Sequence, residues 1–163
     1  MDHESWERIK SILSACLEVP EDEREARIES LCGGDLALAG IRGEILSSLG
    51  EQEAARASYA RSLAIAESCA QQDALDMGAP LQMARAHAAL GVLWARSDRV
   101  AEARQELSTA LQLAQQLLAN RPADVDGLAL AKSAGEDLAV LAKCPDHGRC
   151  RPAKKFELPS LID

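Results

Sequence analysis

The feature that most constrains this chain is a glycine-centred pattern that occurs more than once. Gly43 is followed by Ala55 after twelve residues, and Gly91 is followed by Ala103 at the same distance. Gly135 opens a third, partial copy. The two full copies also share a turn residue seven positions after the glycine and a large side chain sixteen positions after it: Gly50 and Asp98, and Tyr59 and Leu107. Such self-similarity indicates stacked supersecondary units.

The residue types around this pattern favour helices. The 163 residues are 47% hydrophobic but only 2% aromatic, and Ala and Leu supply most of the apolar content. Because Ala and Leu are strong helix formers and β-branched residues are sparse, little of the chain suits strands. We therefore predict an all-α fold of about seven helices. The first three are expected to begin near residues 6, 20 and 36, and the other four to span about 51–71, 81–96, 100–119 and 123–143. A loop or a weakly helical connection is expected over 73–80.

The small residues at these positions have a physical reason, because glycine in one helix and alanine in the next let two helices cross closely. Over roughly Ala39 to Lys143 the pattern resembles the tetratricopeptide repeat. That resemblance implies an α-solenoid of antiparallel hairpins whose first helices line a concave groove for an extended peptide. The groove residues that it implies are Arg85, Val92, Arg96, Lys132 and Glu136, with the basic ones favouring an acidic or C-terminal peptide.

A second resemblance concerns the N-terminal part of the chain. Its pattern includes Trp6–Lys10, Leu17–Arg24, Cys32–Asp35 and Glu44–Leu46. It is similar to the segment that precedes the catalytic domain in many bacterial serine/threonine kinases. The chain has neither a kinase glycine-rich loop nor the His-Arg-Asp and Asp-Phe-Gly triplets that phosphoryl transfer requires.

These two resemblances together predict a non-catalytic protein–protein interaction module, a scaffold or adaptor, in bacterial signalling. The alternative is a detached or degenerate regulatory fragment of a bacterial serine/threonine kinase. The expected organisation is a helical leader over 1–35, repeats over 36–143 and an irregular tail over 144–163.

One cluster in the tail has residue types that bind metals. It contains Cys144, His147 and Cys150, whereas a structural zinc site commonly has four ligands. We therefore favour a plain loop, with a metal site and a Cys144–Cys150 disulfide as the alternatives, and we expect no cofactor. The five cysteines are interpreted mainly as buried reduced thiols. His87 lies within a predicted helix, where a packed or groove-lining histidine is favoured over a catalytic one.

Charge and hydropathy narrow the class of partner. The formal net charge is -8, which argues against nucleic acid because neutralising phosphates needs a basic face. No stretch approaches the 18 uninterrupted apolar residues of a membrane span. The chain begins Met1-Asp2-His3-Glu4, with no basic region before an apolar core, which argues against a secretory signal, so a cytoplasmic protein is expected. So few repeats predict an exposed apolar end, which leaves a homodimer open.

Overall fold

The computed structural model describes residues 36–72 and 78–144, together with residues 14, 18–20 and 23. Within these ranges all regular secondary structure is α-helical, which confirms the all-α prediction for the described part. The first two predicted helices, and most of the leader over 1–35, lie outside the described residues. The two long described ranges hold five helices: α1 Leu36–Ser48, α2 Gln52–Gln72, α3 Gly78–Arg96, α4 Val100–Asn120 and α5 Val125–Leu141.

Two helices begin at other residues than the sequence predicts. α3 begins at Gly78, three residues before the expected start near Leu81, so of the two alternatives for 73–80 residues 78–80 take the helical one. Proline is tolerated at position 80 because the backbone N–H groups of the first helical turn have no acceptor within the helix, so the N–H that proline lacks is not missed. α5 begins at Val125 and not at Ala123, because the Asp124 side chain caps it by accepting a hydrogen bond of 2.8 Å from the backbone N–H of Gly127.

The chain divides into two compact units, Met1–Ser58 and Tyr59–Asp163. The described part of the first unit holds α1 and the beginning of α2. Three consecutive residues near the end of α1, Ile45, Leu46 and Ser47, are buried, and Gly43 is buried as well. Because successive helical residues point about 100° apart, this end of α1 is covered on more than one side.

The end of α1 is closed by a Schellman motif, in which the chain reverses through a residue with positive φ. Gly50 has φ 85°, its N–H bonds to the carbonyl of Ser47 at 3.2 Å, and the N–H of Glu51 bonds to the carbonyl of Leu46 at 2.9 Å. Glycine tolerates this conformation without steric cost.

The end of α3 repeats that motif with a different residue. Asp98 has φ 59°, its N–H bonds to the carbonyl of Ala95 at 3.2 Å, and the N–H of Arg99 bonds to the carbonyl of Trp94 at 2.9 Å. The two turn residues that the repeat pattern aligns, Gly50 and Asp98, therefore occupy equivalent positions in the two turns.

The core of the second unit lies where α4 packs against both α3 and α5. Its members are small or aliphatic, as expected for a chain with few aromatic residues. The buried cluster comprises Ala95, Val100, Ala103, Leu107, Ala110, Ala134 and Leu141. None of the helices in the described ranges is both long enough and apolar enough to cross a lipid bilayer.

Candidate peptide-binding surface

The helical hairpin of α3 and α4 is held together by a close approach at Gly91. A Cβ atom placed on Gly91 would lie 2.6 Å from Cγ of Leu107 and 3.2 Å from its backbone nitrogen. Any residue larger than glycine would require Leu107 or its backbone in α4 to shift, so the predicted close crossing is confirmed at this position. The residue that faces Gly91 is Leu107, whereas the sequence pattern pointed to Ala103.

Polar groups also join the two helices of this hairpin. His87 Nδ1 lies 2.7 Å from Glu106 Oε2, and both side chains are largely buried. This contact places His87 between α3 and α4 as a packed residue. At the turn, the Arg99 guanidinium stacks over the Trp94 ring at 4.4 Å and also pairs with Glu102.

The carboxyl group of Glu102 is affected by this turn. The backbone N–H of Glu102 and the Arg99 guanidinium donate hydrogen bonds to it, and they hold its pKa below the usual value of 4.5. Glu102 lies in the first turn of α4, where a negative charge also complements the helix dipole.

An arginine from α4 fixes the far end of α5. Arg104 Nη2 donates to the carbonyl oxygens of Leu141 and Cys144, at 2.7 Å in each case. The carbonyl of Leu141 also accepts from the backbone N–H of Cys144 at 2.9 Å, so the guanidinium adds a charged donor to the turn that ends α5. It thereby anchors the C-terminus of α5 to the hairpin.

The first predicted groove residue, Arg85, is exposed and reaches the beginning of α5. Its Nη2 lies 3.1 Å from Asp126 Oδ2, and the two side chains are 45% and 59% exposed. Arg96 is also exposed and lies eleven residues later on α3. At about 100° per residue that spacing is three turns, so both arginines lie on the same side of the helix, roughly 16 Å apart.

The centre of the predicted groove on α3 is covered. Val92 lies between Arg85 and Arg96 on the same side of α3, yet it is only 4% exposed. Ala95 is also buried and belongs to the core cluster. A bound peptide would therefore meet the two arginine side chains and not Val92, which corrects the assignment of Val92 to an accessible groove.

The remaining two predicted groove residues lie elsewhere on α5. Lys132 and Glu136 are exposed, and each is two residues from Ala134, which is buried in the core. Two residues correspond to about 200° of helical rotation, so both side chains point away from the core. The structure thus brings Arg85 to Asp126, but it does not bring Lys132 and Glu136 to the arginines of α3.

Gly135, the glycine of the third sequence copy, has open surroundings. No atom of the described residues lies within 4 Å of a Cβ placed on it. The prediction that Gly135 marks a tight helix contact is therefore wrong within the described part. The tight glycine of α5 is Gly127, where a Cβ would lie 3.1 Å from Cδ2 of Leu117 and 3.3 Å from Cδ2 of Leu118.

The candidate metal cluster is represented in the described residues by Cys144 alone. Cys144 is disulfide-bonded, and Cys69, the other cysteine of the described ranges, is a free thiol. The partner of Cys144 therefore lies outside those ranges, as His147 and Cys150 do. The interpretation of the cysteines as reduced thiols is therefore wrong at Cys144, while the predicted loop beyond it lies outside the described residues. Its sulfur lies 3.6 Å from the carbonyl oxygen of Val140, which is a contact only, because a disulfide sulfur has no proton to donate.

No group of three or more His, Cys, Asp or Glu side chains able to hold a metal ion occurs within the described ranges. Comparisons with protein-family models, with curated proteins and with solved structures gave no match to this chain.

Proposed function

We propose that this chain is a non-catalytic, tetratricopeptide-like interaction module that binds an acidic peptide segment of another protein. The observation that carries the proposal is the α3–α4 hairpin, in which Gly91 is closed against Leu107. This is the position at which the sequence pattern requires two helices to meet. The same helix presents Arg85 and Arg96 to solvent on one side.

The Arg85–Asp126 ion pair supports a site for an anionic group. Both side chains are about half exposed, and exposed ion pairs contribute only about 0–1 kcal/mol to stability. A peptide carboxylate can therefore replace Asp126 at the guanidinium at little cost. Arginine suits this exchange because its fork of N–H donors binds a carboxylate through two hydrogen bonds.

The proposal predicts opposite effects of two substitutions at this pair. Arg85→Glu should weaken the binding of acidic peptides, whereas Asp126→Asn should strengthen it by removing the internal competitor. The measurement is fluorescence anisotropy with a panel of labelled peptides that differ in charge and in the presence of a free C-terminal carboxylate. Arg61→Glu, an exposed arginine of α2 that lies outside the predicted groove, serves as the matched control.

Two results would count against this function. One is that no peptide of the panel binds the wild-type chain. The other is binding that Arg85→Glu and Arg96→Glu leave unchanged. In that second case the interaction surface lies elsewhere on the chain.

A place in bacterial signalling, and the alternative of a regulatory fragment of a serine/threonine kinase, rest on the sequence pattern between Trp6 and Leu49. They are tested by adding the purified chain to a kinase that carries the same leader and measuring its phosphorylation rate. Unchanged rates over a range of chain concentrations would remove the kinase alternative.

A further inference from the structure

The side of α5 that points away from α3 and α4 exposes apolar groups to solvent. Val125 is 77% exposed and Leu128 is 50% exposed, and they are the exposed large hydrophobic residues of the described ranges. Exposed apolar groups that share one side of a helix mark an interaction surface more often than isolated ones do. We call this surface the outer face of α5; it comprises Val125, Leu128, Ala129, Lys132, Glu136 and Ala139.

The backbone of α5 is accessible beside this face. Gly135 borders it, and no described atom would meet a Cβ added there. A glycine within a helix is less favourable than an alanine, and no neighbour in the described part explains its presence. A second helix could approach α5 closely at this point, as α4 approaches α3 at Gly91.

The outer face carries charges of both signs, arranged so that the face of one copy can pair with the same face of a second copy. Lys132 and Glu136 are exposed, four residues apart and of opposite sign, and neither has an ion-pair partner among the described residues. When two copies of α5 pack antiparallel through this face, about a two-fold axis level with Ala134 but on the opposite side of the helix from its buried side chain, Lys132 faces the partner's Glu136. The symmetry repeats that pair and places Ala129 against the partner's Ala139, with Leu128 level with the partner's Val140 and Val125 at the edge of the contact.

We propose that the outer face of α5 is a homodimer interface, covered by the same face of a second copy of the chain. The complementarity favours this occupant, because the pairing needs no residue that the chain itself does not supply. An interface built on one pair of helices is small, so the dimer should be weak and dependent on protein concentration. Arg85 and Arg96 are not part of this face, so dimerisation and peptide binding can succeed or fail independently.

The test uses the full chain and a charge-exchange series, with sedimentation equilibrium over a wide range of protein concentration. The expected result for the wild type is a monomer–dimer equilibrium. Lys132→Glu and Glu136→Lys should each weaken the dimer by about tenfold or more, because like charges then face each other twice. A mixture of the two variants should form a heterodimer of near wild-type affinity, since every facing pair is again of opposite sign.

Glu67→Lys is the matched control, because Glu67 is an exposed glutamate on α2 and the substitution makes the same change of charge as Glu136→Lys. It should leave the dissociation constant unchanged. A wild-type chain that stays monomeric at every concentration overturns the proposal. So does a dimer that the two single substitutions do not weaken, or a mixture of variants that does not recover affinity.

Discussion

Gly91 and Gly135 occupy the middle of two helices in the same unit, yet their surroundings differ completely. Gly91 is closed against Leu107 of the following helix, whereas Gly135 has no described atom in contact range of an added Cβ. The sequence pattern aligns the two glycines, so the pattern alone does not decide whether a glycine is needed. The neighbouring helix decides, because α4 follows α3 and no helix follows α5 among the described residues.

Alanine substitution at both positions should give the largest difference. Gly91→Ala should lower the free energy of unfolding by about 2 kcal/mol, because its Cβ would overlap Leu107 and force the helices apart. Gly135→Ala should raise it by about 1 kcal/mol, since alanine is the better helix former and space is available. Urea denaturation of both variants, at protein concentrations low enough to keep the chain monomeric, measures the difference.

A double substitution isolates the cause of this effect. Leu107→Ala alone leaves a cavity and should cost about 2–5 kcal/mol. Adding Gly91→Ala in that background should cost less than it does in the wild type, because the overlapping side chain is gone. Equal costs in both backgrounds would mean that Gly91 is not required by its contact with Leu107.

Besides its core contacts with α4, helix α5 is held at its C-terminal end by Arg104. Arg104→Met keeps an aliphatic stem but removes the donors to the carbonyls of Leu141 and Cys144. Hydrogen bonds from charged groups contribute about 1.5–3 kcal/mol each at most, so we expect a loss of about 2 kcal/mol in all. Hydrogen exchange at the amides of residues 142–144 should accelerate before that of α3.

The control for Arg104 is Arg121→Met, because Arg121 is exposed and its ion pair with Asp124 is 3.6 Å long. That substitution should change stability by less than about 1 kcal/mol. If exchange in Arg104→Met accelerates equally in α3, α4 and α5, Arg104 supports the whole unit and not only the end of α5.

The sequence predicted local features of this fold better than contacts between helices. The described helices, the shared turn at Gly50 and Asp98, and the tight glycine at Gly91 all follow from spacing and residue type. Gly127 was not found, because its constraint comes from Leu117 and Leu118 of the preceding helix and not from a repeated spacing. Contacts of this kind depend on how two helices are rotated against each other, which a single sequence does not state.

The candidate site shows the same limit. Arg85 and Val92 were both assigned to the groove by the tetratricopeptide resemblance, which did not reveal that Arg85 pairs with Asp126. The structure exposes Arg85 and buries Val92. The spacing of residues along a helix predicts the side of the helix on which a side chain lies. Whether that side chain is exposed depends on which other parts of the chain pack against that side. The disulfide at Cys144 was considered but not preferred, since reduced thiols are usual in the cytoplasm.

The two turns that the repeat pattern aligns can be compared by substituting the residue with positive φ in each of them. Asp98→Gly should raise the free energy of unfolding by up to about 1 kcal/mol, because a non-glycine residue at φ 59° is strained. Gly50→Ala should lower it by about 1 kcal/mol; no described atom lies within 4 Å of the added Cβ, so the cost there comes from the backbone alone. Thermal denaturation of both variants measures the effects, and a destabilising Asp98→Gly would show that the Asp98 side chain contributes more than its backbone strain costs.

The smallest change in stability is expected from a substitution at the beginning of α4, the helix that packs against Gly91. Hydrogen bonds from its own backbone N–H and from Arg99 lower the pKa of Glu102. A carboxyl whose folded pKa is depressed stabilises the protein above its unfolded pKa, near 4.5, and that stabilisation is lost as the pH falls through the folded pKa. The wild type should therefore be slightly more stable than Glu102→Gln at neutral pH, and the difference should shrink as the pH falls below that value.

Equilibrium denaturation of the wild type and of Glu102→Gln across acidic pH measures this difference in stability, with Glu67→Gln as an exposed control. If the difference grew on acidification, the carboxylate of Glu102 would be destabilising in the folded chain, and the turn between α3 and α4 would be held by its Schellman hydrogen bonds and by the stacking of Arg99 on Trp94, without help from Glu102.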